Sequence, residues 1–436
     1  MKIYLVGGAV RDLYLGLVPK DYDFVVVGSS PKEMLELGYT QVGKDFPVFL
    51  HPVSKMEYAL ARTERKVGLG HNAFTCDWEN VTLGQDLLRR DLTINSMAVL
   101  VKISEDGLNF SQQSTICDPF HGQEHIESKM LVATSDAFME DPLRVLRVAR
   151  FRARLGPEWQ VETHTQEMMQ NISDRGELQS ISPERVWKEL ESALGEPHPN
   201  LFFETLFGYD IFHISKEMKE TPQRADHHPE GDVFIHTMLT LKLAAQRRVS
   251  RQEMFACYAH DFGKPSCYKD YGSAHGHEGV GKFFISEFCD LYKVPNKFRK
   301  LALHVCEYHT KIHGCLGRGP NKGITSKTIM KMFEATGALK SPEYFSQILR
   351  CSQMDAGGRG HGQEQILEYA NKPYPQSSYL FECLMMAVIY DTKPLVKKLQ
   401  DNGVDGKVIG IQIRAARMNE IKKVKWKWEH NNRGEI

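Results

Sequence analysis

Two carboxylates one residue apart, Asp21 and Asp23, stand directly before the apolar run Phe24–Val27. On an extended chain residues i and i+2 point to the same face, so both acids converge on one spot. Neighbouring carboxylates repel unless a cation neutralises them, and their hard oxygens suit Mg²⁺. Two such ligands can hold two ions that clamp the attacking and leaving oxygens of phosphoryl transfer. Upstream, Gly7-Gly8 follows an apolar run and opens a short helical pattern, Val10 to Leu15, that carries Arg11. Glycines between a strand and a helix let the backbone approach phosphate oxygens, and a helix N-terminus presents oriented N–H groups. The G-x-G-x-x-G spacing of a dinucleotide fingerprint is absent. Alone, Gly-Gly reads as an ordinary turn and D-x-D as a solvated one. Together with Arg11 inside 23 residues, they favour a phosphate and metal site. A second set lies far downstream: His260-Asp261 after the apolar run FACYA, with His236 before it and Asp355 after it. Imidazole and carboxylate ligands drawn from several helices can bind a divalent transition metal and lower the pKa of its water.

The elements that must position these groups change character along the chain. Lys2–Val6, Phe24–Val27, Val48–Leu50 and Met56–Ala61 read as strands between Gly, Pro and Asp clusters. From Asp141 the pattern becomes helical, in DPLRVLRVARFRARL and in SPERVWKELESAL, where Ser182 suits an N-cap and Pro183 a first turn. Breaks fall at 227–232, 314–323 and 373–375, and no internal repeat is present. The expected order is therefore a mixed α/β head followed by a long helical body.

In this order the motifs LVGGAVRDLYLG, KDYDFVVVG, DFPVFLHP, YALARTERK, DLLRRDLTINSMA and EDPLRVLRVARF resemble those of the bacterial class II CCA-adding enzymes. These are tRNA nucleotidyltransferases of the polymerase β superfamily. The resemblance implies a mixed five-stranded nucleotidyltransferase sheet with helices, then an all-α neck, body and HD domain. It divides the chain into a head (1–138), a helical neck and body with base recognition (139–225), an HD phosphohydrolase domain (226–356) and a helical C-terminal region with a basic tail (357–436). It implies transfer of CMP twice and AMP once from CTP and ATP to the tRNA 3′ end, without a template and with release of pyrophosphate. Asp21 and Asp23 would hold Mg²⁺, Gly8 and Arg11 would cradle the triphosphate, and Arg90 would contact the nucleotide. Asp91 and Asn95 would order that loop or touch the ribose. A surface ion pair is the plain alternative for Arg90.

Glu140-Asp141-Pro142-Leu143-Arg144 matches the family's E-D-x-x-R, where side chains replace a template. Cytosine N4 and adenine N6 are donors that Asp141 can accept, whereas guanine and uracil present a carbonyl there. Arg144 offers donors to the adjacent ring acceptors, each good pairing discriminating by about 1–3 kcal/mol. Asp141 before Pro142 is equally a helix N-cap. Arg144, Arg147, Arg150 and Arg154 share one helical face, and the resemblance makes Arg147 and Arg150 nucleotide contacts. A solvated basic face is the alternative.

The set His236, His260-Asp261 and Asp355, with HGH at 275–277 and His304 and His309 between, resembles the HD phosphohydrolases. That implies an Ni²⁺ or other divalent site with 2′,3′-cyclic phosphodiesterase, 2′-nucleotidase and phosphatase activity. The order resembles the bacterial subclass that fuses an HD domain to the CCA-adding head; where that fused subclass carries a second H-D pair, this chain has His309-Thr310, a departure that bears on metal occupancy.

Lys407 onward holds eight Lys or Arg against three acids, with Trp426 and Trp428 interleaved. This fits either an RNA-tracking helix or an amphipathic terminal helix. Overall, 55 bases balance 55 acids, which argues against an indiscriminate nucleic-acid binder but not against placed patches. No apolar run reaches the length of a membrane span, MKIYLVGGAV meets Arg11 and Asp12 too early for a signal peptide, and nine scattered cysteines without C-x-x-C suit reduced thiols. The expectation is a cytoplasmic monomer or weak homo-oligomer. The alternatives are a poly(A) polymerase of the same head, an HD phosphohydrolase with a nucleotide-binding head, or a non-catalytic RNA-binding protein, which would not need the D-x-D pair.

Overall fold

The computed structural model describes residues 1–42, 48–66, 74–104, 109–318 and 321–431. Residues 45–47 of the DFPVFLHP motif and Arg433 of the basic tail lie outside them. The chain forms two compact units, Met1–Ala193 with Leu201–Ile211, and Leu194–Asn200 with Phe212–Ile436.

The first unit opens with β1 (Lys2–Val6), α1 (Gly8–Tyr14), β2 (Asp23–Val27), α2 (Pro31–Glu36), β3 (Thr40–Val42), β4 (Val48–Leu50) and β5 (Glu57–Leu60). A ribbon, β6 (Thr63–Lys66) with β7 (Phe74–Asp77), leads to α3 (Leu83–Leu88), β8 (Ala98–Ile103), β9 (Phe110–Gln112) and α4 (Gly122–Glu127). One mixed sheet has the order β3-β4-β5-β2-β1-β8-β9. It is antiparallel except at β2/β5. The expected five strands are thus seven: a three-residue strand, β3 or β9, extends each edge of the central five. Short edge strands with few apolar residues carry almost no alternation signal, while they offer little for another chain to pair with. The central strands are buried on both faces. Val6, Val25 and Ala98 pack with Ala61, Val81 and Leu87, and on the opposite side Phe24 stacks on Tyr58 with ring centroids 4.8 Å apart.

Beyond the head come β10 (Met130–Leu131), α5 (Leu143–Leu155), β11 (Gln160–Val161), α6 (Thr163–Asp174) and α7 (Pro183–Ala193), while α8 (Pro199–Leu206) crosses the division between the units. The parallel pair β10/β11 and a two-residue hairpin, β12 (Gly317–Arg318) with β13 (Asn321–Lys322), are small additions to the expected helical remainder. In each, two residues suffice for pairing, too few for any periodic pattern.

The second unit is otherwise helical: α9 (Ile214–Lys219), α10 (Val233–Gln246), α11 (Arg251–Ala259), α12 (Lys264–Tyr271), α13 (His277–Leu291) and α14 (Asn296–His313). These continue into α15 (Ser326–Thr336), α16 (Pro342–Gly357), α17 (Gly362–Asn371), α18 (Pro375–Ile389), α19 (Lys393–Asp401) and α20 (Gly406–Asn431). Its core gathers aromatic rings, with Phe288 within 6.1 Å of Phe212, Phe255, Tyr258 and Phe262. The basic terminal segment is the long helix α20. Trp428 donates to Glu382 of α18 at 2.7 Å and packs edge-on against Tyr379, and Lys425 caps the Ile324 carbonyl at 2.9 Å. Trp426, in contrast, is exposed. Among the described residues no helix is long and apolar enough to cross a membrane.

Candidate functional site

The antiparallel register of β1 and β2 places Asp23 opposite Val6, the residue before Gly7-Gly8. Asp21 precedes the strand by two residues, so its side chain shares a face with that of Asp23. Tyr22, pointing the other way, packs edge-on against Phe110. Asp23 is open at the loop mouth, yet desolvation lifts its pKa, with Asp21 adding to the rise and Arg90 and Arg147 opposing it. A carboxylate destabilised by desolvation and by a neighbouring acid fits a Mg²⁺ ligand pair.

Gly7 has φ 69° and ψ −131°, a backbone region essentially restricted to glycine. A Cβ there would stand 2.8 Å from Arg90 Nη1, so the Arg90 guanidinium leans over the loop. Its Nη2 donates to the buried Asp86 carboxylate at 3.2 Å, while the buried Nε has no hydrogen-bond partner among the described residues. Arg11 lies almost fully buried in α1. It donates to Asp12 Oδ1 at 2.8 and 3.0 Å and to Asn95 Oδ1. Asn95 donates in turn to Asp91 Oδ1 at 3.0 Å. Arg11 therefore ties the glycine loop to the Arg90–Asn95 segment, behind Gly8 and Arg90.

Each arginine of the α5 stripe has a defined partner. Arg147 Nε donates to Asp91 Oδ2 at 2.7 Å, Arg150 to Glu189 at 2.6 Å, and Arg154 to Asp12 Oδ2 at 2.7 Å. Arg11, Arg147 and Arg150 also surround the buried Phe151 ring, 4.9–5.8 Å from its centroid. Arg144 donates to the carbonyls of Ala137 and Arg89, both at 2.6 Å, so it is braced on the residue before Arg90. Asp141 takes the capping reading of its sequence and adds an ion pair. Oδ1 caps the Leu143 N–H at 3.1 Å, and Oδ2 accepts from Arg185 at 2.8 Å. The sequence pointed to the arginines but not to Asp12 and Glu189, whose partners lie 142 and 39 residues away.

In the second unit His236, His260, Asp261 and Asp355 come together, all buried. His236 Nε2 lies 3.1 Å from Asp355 Oδ1, and His260 Nε2 lies 3.2 Å from Asp261 Oδ2 and 3.8 Å from Asp355 Oδ1. His236, His260 and Asp355 form one metal-compatible group. Both rings are oriented from behind: His260 Nδ1 donates to the Cys257 carbonyl at 2.7 Å, and His236 Nδ1 meets Glu230 Oε1 at 2.9 Å. A ring whose Nδ1–H is held by an oxygen directs its Nε2 forward, the arrangement found behind metal-ligating histidines. Burial disfavours a charged His260, but Asp261 and Asp355 outweigh it and lift the ring to about 9. Those carboxylates are held well below their ordinary range by the surrounding histidines and, for Asp261, by Lys264, against the cost of burial. The donor set therefore fits a divalent transition metal.

Glu230, Lys264, His277, His309 and His313 also converge here, beside a cavity of about 760 Å³. The signals in the sequence were HGH at 275–277 and the i,i+4 pair His309/His313, which one helix face presents together. Glu230 had none, lying in a turn. His304 instead bonds the Tyr344 hydroxyl at 2.8 Å, outside this cluster. Thr310 donates to Glu278 Oε1 at 2.5 Å, so a hydroxyl facing another acid stands where the fused subclass carries its own.

Residues 3–132 match the family described as "Poly A polymerase head domain", and residues 159–220 that described as "Probable RNA and SrmB-binding site of polymerase A". The chain is 42% identical over 435 residues to the Multifunctional CCA protein of Teredinibacter turnerae, covering 98% of both. Among solved structures, an apo CCA-adding enzyme aligns with a TM-score of 0.60 at 19% identity, over 97% of this chain and 88% of that one. A CCA-adding enzyme in complex with ATP aligns at 0.57 and 18% identity, over 100% and 91%. The Thermotoga maritima CCA-adding enzyme complexed with tRNA aligns at 0.53 and 19% identity, over 98% and 90%. At such identities the structures establish the fold, whereas the curated relative establishes kinship along nearly the whole chain. The chain belongs to the family of multifunctional CCA proteins, CCA-adding nucleotidyltransferases whose head is shared with the poly A polymerases.

Proposed function

We propose that this protein adds and repairs the 3′-terminal CCA of tRNA without a template, using CTP and ATP and releasing pyrophosphate. The observation that supports the reading is the β1–β2 register, which sets Asp23 of the D-x-D pair across from Val6, the residue before the glycine loop. Asp21 and Asp23 would hold Mg²⁺, which when bound supplies the charge that stabilises the attacking and leaving oxygens. Gly8 and Arg11 form the triphosphate cradle, the first by close backbone approach and the second by holding the loop from behind. Arg90, poised over Gly7, contacts the nucleotide, and Arg147 and Arg150 extend that positive edge along α5.

Base choice falls to Asp141 and Arg144. The first accepts from the amino group of C or A, and the second stays fixed by two carbonyls. Rigid mounting matters, because a polar group left unpaired by U or G discriminates only if it cannot relax. In an Asp141→Ala variant the CTP-over-UTP preference should fall by at least tenfold while Mg²⁺ dependence is kept. Unchanged selectivity would remove Asp141 from base recognition. A poly(A) polymerase is the second reading, favoured by the description of the matched head family; it requires runs of A and no C.

The second unit is proposed to be a metal-dependent phosphohydrolase with 2′,3′-cyclic phosphodiesterase, 2′-nucleotidase and phosphatase activity. His236, His260, Asp261 and Asp355 would hold Ni²⁺ or a similar ion, which supplies a water of lowered pKa. The adjoining cavity carries Arg224, Arg247 and Arg359, cations suited to a phosphate ester. No phosphate release from 2′-AMP, and no opening of 2′,3′-cyclic AMP, with Ni²⁺, Co²⁺, Mn²⁺ or Mg²⁺ would refute this part. The four-part division at 138, 225 and 356, a cytoplasmic location and a monomeric or weakly associating state complete the proposal.

A further inference from the structure

Glu230 Oε1 stands between two imidazoles, 2.9 Å from His236 Nδ1 and 2.9 Å from His228 Nδ1, while its Oε2 accepts the Gly360 N–H at 3.2 Å. Burial opposes the ionised form of this carboxyl, but the hydrogen bonds from both rings outweigh it. An ionised carboxylate can only accept, so each ring turns an Nδ1–H toward Glu230. Each Nε2 then points away from the shared anchor. That of His236 meets Asp355 Oδ1. That of His228 makes no hydrogen bond among the described residues, and the ring lines the cavity.

Burial outweighs the Glu230 hydrogen bond and keeps the His228 ring neutral, so its Nε2 offers a lone pair and no hydrogen. The mount is rigid. Arg359 donates to the His227 carbonyl at 3.2 Å. Gly360, beside it, has φ 118° and a Cβ position only 2.7 Å from the Ile366 nitrogen, so the segment after Asp355 clasps the 227–230 turn through a residue that must be glycine. On the same cavity Arg224, Lys264 and Arg359 supply donors that suit phosphate oxygens. A fixed acceptor among them would repel such an oxygen and suits a hydroxyl instead. His228 packs edge-on against His236, with ring centroids 4.8 Å apart. What it meets is therefore the part of an ester that lies beside its phosphate.

We propose that His228 Nε2 accepts the free hydroxyl next to the phosphate of a ribonucleotide ester, which makes the second unit selective for 2′-phosphates that carry a neighbouring 3′-hydroxyl. This rests on the phosphohydrolase reading of that unit and deepens it, from phosphate esters at large to monoesters of a vicinal diol. Glu230 is the positioning residue, because it fixes the ring from behind. A substrate without the hydroxyl leaves the Nε2 lone pair unpaired in a desolvated site, and a polar group that cannot relax turns that loss into discrimination. A 2′,3′-cyclic phosphate has no such hydroxyl until its ring opens. The contact therefore serves removal of the remaining phosphate rather than the opening.

The test measures phosphate release by the full chain, with Ni²⁺, Co²⁺, Mn²⁺ or Mg²⁺, from adenosine 2′-phosphate and from 3′-deoxyadenosine 2′-phosphate, which lacks only the hydroxyl. Wild type should favour the first in kcat/KM by at least about tenfold. In His228→Ala that ratio should collapse to within about twofold, and His228→Gln, whose amide oxygen can still accept, should recover part of it. Metal content, followed by elemental analysis, should stay at the wild-type level in both variants. Equal rates on the two substrates in wild type would overturn the proposal and leave the phosphohydrolase reading standing, a comparison that needs no variant to fold. An unchanged ratio in His228→Ala would do the same. So would an equal fall on both substrates together with lost metal, since His228 would then act only by supporting His236. No release from either substrate by wild type would overturn both readings.

Discussion

Asp91 joins the glycine loop to the arginine helix, since it accepts from Arg147, Asn95 and the Leu92 N–H. Burial works against its ionised form, but Arg147 and these hydrogen bonds outweigh it and hold the carboxyl far below its usual range. A depressed carboxylate contributes stability that is present above its unfolded value, about 3.9, and is lost as pH falls toward the folded one. Urea unfolding of the first unit should therefore show stability declining below about pH 4, with a shallower decline in Asp91→Asn. Asp91→Ala should cost about 3 kcal/mol at neutral pH, the scale for stranding a buried charge. An unchanged acid limb in Asp91→Asn would contradict this role. The D-x-D and H-D pairs were legible at this scale because they are local patterns. Asp12 and Glu189 were not, because nothing in a linear pattern pairs Arg154 with an acid 142 residues earlier.

At the scale of elements, strand, glycine loop and helix act as one device. Gly7 takes a conformation that a side chain would strain, and a Cβ there would also push Arg90 aside. Gly7→Ala should lower kcat/KM for CTP by at least tenfold, with a thermal midpoint that moves by only a few degrees. Normal kinetics in that variant would show that the loop does not need glycine. The strands β1, β2, β4 and β5 and the helical onset near Asp141 were readable, because apolar runs there alternate with turn residues or recur at helical spacing. The edge strands β3 and β9 and the pair β10/β11 were not. Their pairing is set by neighbours rather than by their own two or three residues. The stripe on α5 was visible as a pattern, but its meaning was open, since periodicity shows which face the arginines share and not which acids meet them.

For the whole molecule, equal numbers of acids and bases conceal a division of labour. Asp12, Asp91 and Glu189 compensate the arginines in the first unit, while Asp261 and Asp355 gather histidines in the second. The two proposed chemistries draw on separate candidate ligands in separate units, so they should separate on mutation. Asp21→Ala should abolish nucleotide addition by at least a thousandfold and leave phosphate release from 2′-AMP within twofold of wild type. His260→Ala should do the reverse, and loss of both activities in either variant would contradict the division. The most direct test of the central claim is extension of tRNA lacking CCA with each nucleotide supplied separately. With CTP alone two C residues should be added, with ATP alone none, and with both a complete CCA that stops after one A. Failure to add C from CTP, or a run of A from ATP, would contradict the account.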